Sequence, residues 1–162
     1  TPLRHIASTC QTRARSMTYP VLLTIHLFAA LFFIGVVFFE VLMLEPLRPQ
    51  LPREAMRQLE SAVGQRARKV MPWVLMSLYG AGIAMVWIAY APLLADPLNS
   101  RFGLLLLIKI VLATSVIGHF LAGMALQRRG KLGSRNSRII HYSVFAHMVG
   151  IVLAAKWMFH LQ

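Results

Sequence analysis

Four long apolar stretches constrain this chain more than any other feature of its sequence. They cover residues 20–44, 70–94, 102–127 and 139–161. Each is at or above the roughly 20 residues that an α-helix needs to cross the hydrocarbon core of a bilayer. Because only short polar connections separate them, the sequence predicts an all-α integral membrane protein, an antiparallel four-helix bundle in one domain over residues 20–162.

Two segments outside the predicted spans, the N-terminal tail and part of the first connection, carry predictions of their own. Residues 1–19 form an N-terminal tail, and a chain that starts at Met17 would avoid moving the three arginines of this tail across the membrane. We therefore predict that residues 1–16 are disordered or not native to the mature protein. Residues 52–69 mix charged and apolar side chains at near-helical spacing, which predicts an amphipathic helix. That helix either lies on the cytoplasmic surface or extends the next span.

Lysine and arginine are concentrated at the ends of the spans. The chain has a formal net charge of +12, with 17 Lys and Arg residues. Two connections hold most of them, namely Arg48, Arg53, Arg57, Arg66, Arg68 and Lys69 in the first and Arg128, Arg129, Lys131, Arg135 and Arg138 in the third. This distribution predicts contact with anionic lipid, cytoplasmic first and third loops, and both termini outside. It forms no single basic face, which argues against a nucleic-acid partner.

Two histidines are predicted to meet inside the bundle. His119 stands eight residues before Gln127, the cytoplasmic end of the third span, and His147 stands eight residues after Ile139, where the fourth span begins. At about 1.5 Å per residue, both lie about 12 Å inside the same face. Two imidazoles at one depth on neighbouring helices can bind a haem iron from both sides. We therefore predict that His119 and His147 bind haem b.

Three further ionisable residues lie nearer the outer face. His26, Lys109 and Lys156 stand five to seven residues from the outer ends of their spans. An ammonium group at that depth needs an anion, so His26 with Lys109 predicts a second site for another haem, a quinone or an anionic substrate. Lys156 either contributes to this site or extends to the headgroups. On the cytoplasmic side, Arg68 is a candidate contact for haem propionates.

The four spans resemble a known family. The segments LTIHLFAALFFIGVVFFEVLMLEPLR, RARKVMPWVLMSLYGAGIAMVW, LLLIKIVLATSVIGHFLAGM and HMVGIVLAAKWMF are similar to the CopD family of bacterial inner-membrane proteins. The resemblance implies the bacterial inner membrane and a role in copper resistance or uptake. The chain is also distantly similar to HemJ-type haem b proteins, whose first-span histidine and intramembrane lysine correspond to His26 and Lys109. Two HemJ elements, a Pro-Arg pair and an Asn-Glu-x-Pro sequence, are replaced here by FFEVLML and HYSVFAH.

These observations leave three functions open. The first is a membrane b-type cytochrome, a candidate oxidoreductase that binds one or two haem b groups and exchanges electrons with a quinone or a redox partner protein. The alternative is copper transport or resistance, in which His119, His147, His26 and methionines such as Met148 bind copper. The third is a non-catalytic accessory subunit of a membrane complex. A homo-oligomer is compatible with each function.

Overall fold

The structure is a computed structural model that describes residues 2–131, 133–158 and 160. Side chains are described from residue 17 onwards, except at positions 132, 134, 135, 159, 161 and 162. The predictions made for residues 1–16 fall on side chains outside this set and stay predictions. Within the described part of the chain, all regular secondary structure is helical, which confirms the predicted all-α class.

The helical elements follow one another with short connections. In chain order they are α1 (Pro2–Phe38), a first π-helical segment (Phe39–Leu44), α2 (Glu45–Leu47), α3 (Arg53–Met85), a second π-helical segment (Val86–Tyr90), α4 (Ala91–Ala95), a 3-10 turn (Pro97–Asn99), α5 (Arg101–Arg128) and α6 (Ser134–Trp157). Each π-helical segment directly continues the helix before it. The apolar stretches therefore pass through a local change of helix type without a break.

Among the described residues, four stretches are long and apolar enough to cross a membrane. They are Met17–Leu47, Arg53–Ala95, Arg101–Arg128 and Asn136–Trp157. The four predicted spans are therefore confirmed as long apolar helices. The second differs most from its predicted limits of 70–94, because it begins at Arg53 and includes the amphipathic segment. The last, predicted over 139–161, lies in α6, which begins at Ser134 and ends at Trp157.

Helix α3 shows where the predicted amphipathic segment belongs. This segment and the first part of the second span form one continuous helix of 33 residues, Arg53–Met85. At about 1.5 Å per residue it is about 50 Å long, which exceeds the roughly 30 Å hydrocarbon core of a bilayer. The amphipathic segment is therefore an extension of the second span, which is one of the two predicted alternatives.

By its internal contacts the chain divides into two compact units, residues 1–33 with 54–91 and residues 34–53 with 92–162. In the first unit, the hydroxyl groups of Tyr19 and Tyr90 are 3.1 Å apart and their rings meet edge to face. Further along α1, His26 contacts the carbonyl oxygen of Leu78 on α3. Because a later residue of α1 meets an earlier residue of the second span, the two helices of this unit run antiparallel.

In the second unit, α5 and α6 form an antiparallel pair. Position 150 on α6 faces Leu112 on α5, and position 123 on α5 faces Ile140 on α6. Both Gly150 and Gly123 lack a side chain at these contacts, which lets the two backbones approach closely. The interface therefore has helix-to-helix contact toward both ends, with the segment that contains His119 between them.

The start of α5 is held by Ser100. Its hydroxyl accepts a hydrogen bond of 3.0 Å from the amide of Gly103, which is the usual N-cap arrangement. A Cβ atom at position 103 would lie 2.8 Å from the carbonyl oxygen of Pro97. The 3-10 turn can therefore pack against the first turn of α5 only because residue 103 is glycine.

An ionic contact joins α2 to the start of α6 in the second unit. Glu45 forms an ion pair with Arg138, whose Nε lies 2.6 Å from Oε1, and it accepts a hydrogen bond of 2.8 Å from Arg48 Nε. One turn earlier, Glu40 on the first π-helical segment lies 3.2 Å from Nδ1 of His141. These contacts hold the polar end of the first span against the first turns of α6.

We expect Glu45→Gln to lower the free energy of unfolding by about 1–2 kcal/mol, because two arginines lose a charged acceptor. The Glu45 side chain is only 19% exposed, so water replaces that acceptor poorly. Glu54→Gln is the matched control, since Glu54 is 61% exposed and pairs with Arg57 on its own helix. Its effect should stay within about 0.5 kcal/mol. Thermal unfolding in detergent measures both variants, and equal losses would contradict the role assigned to Glu45.

Candidate metal centre

The structure brings His119 on α5 together with His147 on α6. Their ring centroids are 5.2 Å apart and the ring planes are inclined by 55°. Both side chains are half-buried. The pair lies in the second unit, between the two helix contacts made at Gly150 and Gly123.

Each histidine is oriented by the backbone of its own helix. Nδ1 of His119 lies 2.8 Å from the carbonyl oxygen of Ser115, and Nδ1 of His147 lies 2.7 Å from the carbonyl oxygen of Ser143. A carbonyl oxygen only accepts hydrogen bonds, so both Nδ1 atoms carry the proton and donate. In a neutral imidazole, Nε2 is then the unprotonated nitrogen, whose lone pair can accept a hydrogen bond or bind a metal.

The serine side chains of the same two turns reach across the interface. The hydroxyl oxygen of Ser115 lies 3.0 Å from Nε2 of His147, and that of Ser143 lies 2.9 Å from Nε2 of His119. Ser115 Oγ is also 3.5 Å from Nδ1 of His119, at the upper end of hydrogen-bonding distance. The two cross-helix contacts are reciprocal, which gives this part of the α5–α6 pair an approximate local two-fold symmetry.

Sequence reasoning missed the two serines, although the chain carries a signal for them. Residues 115–119 read SVIGH and residues 143–147 read SVFAH, so both helices contain Ser-Val, any residue, a small residue and His. The four-residue spacing puts serine and histidine on one helix face. The shared valines, Val116 and Val144, are both buried. A repeat of five residues is shorter than the repeats that define repeat folds, and it becomes informative only when the helices are known to be antiparallel neighbours.

The arrangement has the chemistry of a metal-binding pair. A histidine that ligates a metal usually donates its other ring N–H to a backbone carbonyl or a carboxylate, which holds the ring and its tautomer in place. His119 and His147 both donate Nδ1–H to a backbone carbonyl oxygen in this way. Each therefore directs Nε2, the unprotonated nitrogen, toward the opposite helix.

The two histidines match a haem in the number of axial ligands and in their tautomer. The close packing of α5 against α6, however, leaves no room for the macrocycle. A haem bound between two imidazoles places its whole macrocycle between the helices that carry them. The contacts of Leu112 with position 150 and of Ile140 with position 123 lie within about two turns on either side of the histidines. Haem binding by His119 and His147 therefore requires α5 and α6 to separate, and it stays a prediction.

His26 carries its ring proton on Nδ1, as His119 and His147 do. Its Nδ1 lies 2.9 Å from the carbonyl oxygen of Leu78, so Nδ1 is again the donor. A Cβ atom at position 82 would lie 3.3 Å from the imidazole, so the glycine there makes room for the ring. His26 belongs to the first unit and Lys109 to the second. The second site predicted for these two residues stays a prediction.

The other predicted binding residues are placed as follows. Lys109 is half-buried on α5. Lys156 is exposed in the last turn of α6, where a lysine can extend its ammonium group to lipid headgroups. Arg68 is exposed on the amphipathic part of α3. Their roles in binding a cofactor stay predictions.

Comparison of the chain with protein-family models, with curated proteins and with solved structures finds no match in any of the three. The resemblance to the CopD family and the similarity to HemJ-type proteins therefore stay predictions from the sequence.

Proposed function

We propose that this chain is a multi-pass membrane protein that binds one copper(I) ion between His119 and His147 and serves copper transport or resistance. The observation that supports this best is the reciprocal meeting of two imidazoles, each with Nδ1 on its own backbone and Nε2 directed across the interface. The two ligands are equivalent by the local symmetry of α5 and α6. A single ion on that axis would be shared equally between them.

Distances support a single shared ion. Two nitrogens bound to one metal are at most about 4 Å apart, given metal–nitrogen bonds of about 2 Å. The ring centroids are 5.2 Å apart and each Nε2 contacts a serine of the opposite helix, so both imidazoles must turn away from these serines before their Nε2 atoms face one ion. An ion is much smaller than a haem macrocycle, so it requires less separation of the helix contacts at Gly150 and Gly123.

The number of ligands favours copper(I) over zinc. Among the side chains that the structure describes, no group of three or more His, Cys, Asp or Glu residues could hold a metal ion. Zinc sites in proteins use three or four such ligands, whereas copper(I) accepts a linear arrangement of two. Two neutral imidazoles also bind the ion less firmly than a closed four-ligand site, and a transported ion must be able to leave.

Haem b is the second candidate, because a haem supplies four nitrogens itself and needs two axial ligands from the protein. The same pair of histidines would hold it, with α5 and α6 moved apart. A haem in this position would carry single electrons between a membrane donor and an acceptor. The non-catalytic accessory role is the third candidate, in which the histidines and serines only pair the helices.

Metal analysis of the purified protein separates these candidates. Protein from cells grown with added copper is purified in detergent and examined by elemental mass spectrometry and absorbance spectroscopy. We expect about one copper ion per chain and no Soret band. One iron per chain with a Soret band and a reduced α-band would support the haem b cytochrome instead. Protein without either metal would contradict both and favour the accessory role.

The same proposal includes the arrangement in the membrane. The four apolar helices cross the bacterial inner membrane as an antiparallel bundle, with both termini in the periplasm, because the basic residues cluster in the first and third connections. Single cysteines at Gln50 and Arg129, in a variant without the natural Cys10, should be protected from an impermeant maleimide in intact cells. A cysteine at Asn99 should react. The opposite pattern would invert the proposed topology.

A further inference from the structure

Two serine hydroxyls are hydrogen-bonded to the two histidine nitrogens that a metal ion would need. Ser115 Oγ is 3.0 Å from Nε2 of His147, and Ser143 Oγ is 2.9 Å from Nε2 of His119. Each Nδ1 is already bound to a backbone carbonyl. The hydroxyls are therefore the donors, and each Nε2 lone pair accepts a serine proton.

We propose that Ser115 and Ser143 form a reciprocal lock on the histidine pair, in which each hydroxyl caps Nε2 of the histidine on the opposite helix and must release it before a metal ion can bind. The inference rests on the proposed metal-binding function. Its physical basis is that one lone pair serves either a hydrogen-bond donor or a metal ion. The two serines are positioning residues that set how readily the imidazoles become ligands.

The helix itself offers the released serines another partner. A serine or threonine in an α-helix can donate its hydroxyl proton to the carbonyl oxygen four residues earlier. Thr114, the neighbour of Ser115, does so with Ile110, at an oxygen–oxygen distance of 2.8 Å. A rotation of χ1 would let Ser115 and Ser143 make the same contact. The lock can therefore open by rotation of two small side chains, while the proton of each hydroxyl keeps an acceptor.

The lock makes metal binding weaker than the histidines alone would allow. Each ion that binds replaces the two hydrogen bonds that Ser115 and Ser143 donate to Nε2 of the histidines. Removing one hydroxyl removes one competitor, so Ser115→Ala or Ser143→Ala should bind copper(I) about fivefold more tightly, and the double variant about 25-fold more tightly.

Copper(I) competition with a chromophoric chelator measures this effect. The assay compares the unmodified protein, the two single variants, the double variant and Thr114→Ala. Thr114 is the matched control, because its hydroxyl is exposed and bonds only within α5 among the described contacts. We expect tighter binding in the serine variants and no change in the control. Weaker binding would make the serines ligands, and unchanged binding would limit them to pairing the helices; either result overturns the lock.

A second measurement tests the lock without any metal. Diethyl pyrocarbonate acylates an unprotonated imidazole nitrogen, and mass spectrometry assigns the modified histidine. Because each serine caps the histidine of the other helix, Ser115→Ala should speed modification of His147 about threefold or more and Ser143→Ala that of His119, by the same loss of one hydrogen bond. Faster modification of the histidine on the same helix, or no change, overturns the lock.

The two measurements distinguish a failed lock from a failed function. If the unmodified protein binds no copper but the crossed modification pattern holds, the proposed function fails while the capping of Nε2 by the serines stands. If copper binds to His119 and His147 but the modification pattern is not crossed, the function stands and the lock fails.

Discussion

His119→Ala and His147→Ala should each weaken copper(I) binding by more than about 100-fold, beyond the 10- to 100-fold typical of residues that only support a metal ligand. The reason is that the site offers two imidazoles, and among the described side chains no third His, Cys, Asp or Glu ligand joins them. Removing either histidine leaves one nitrogen, which cannot hold a copper ion against a chelator. The same chelator competition assay measures the loss.

His160→Ala is the control for this experiment, because His160 is an exposed histidine beyond the end of α6. It should bind copper like the unmodified protein. Each alanine variant also leaves a serine hydroxyl without its acceptor, so thermal unfolding must show that the variants remain folded under the assay conditions. Copper binding retained by both His119→Ala and His147→Ala would contradict the proposed site.

Gly103→Ala should lower the free energy of unfolding by about 2 kcal/mol, from strain against the backbone and a weakened N-cap. The new Cβ would lie 2.8 Å from the carbonyl oxygen of Pro97 and 3.0 Å from the hydroxyl oxygen of Ser100. The first of these atoms belongs to the backbone of the 3-10 turn, so relief requires the turn to move. Chemical or thermal unfolding in detergent measures the change.

Gly118→Ala provides a matched comparison on the same helix. A Cβ atom at position 118 would meet no other atom within 4 Å. Alanine is the better helix former, so this variant should be unchanged or more stable by up to about 1 kcal/mol. Equal destabilisation by the two substitutions would show that the close contact of Gly103 with the 3-10 turn is not the cause.

The histidine pair shows how far sequence reasoning reaches into the site. Counting residues from the helix ends put His119 and His147 at one depth, because every residue of an α-helix adds about 1.5 Å. The structure brings their rings to 5.2 Å. Counting could not find Ser115 and Ser143, since their contacts depend on the axial register of α5 against α6 and on side-chain rotation. The repeated Ser-Val pattern before each histidine was visible in the sequence but had no meaning without that register.

Helix α3 gives a second example. Its amphipathic residues predicted a helix but not its connection to the following span, because a surface helix and an extended span have the same spacing of apolar residues. The structure continues Arg53–Met85 without a turn. A surface helix and an extended span differ in whether the backbone helix continues into the next span, and hydrophobic periodicity contains no information about that.

The sequence by itself determined that this protein is built from four long apolar helices, because the length and composition of each stretch meet the requirement of a bilayer-spanning helix. It also predicted which two histidines meet, and the structure brings their rings to 5.2 Å. Only the tertiary structure decided that both imidazoles carry their proton on Nδ1, that serines of the opposite helices cap Nε2, and that α5 and α6 touch on both sides of the pair. These features depend on distances across a helix interface, and the periodicity within one helix contains no information about them.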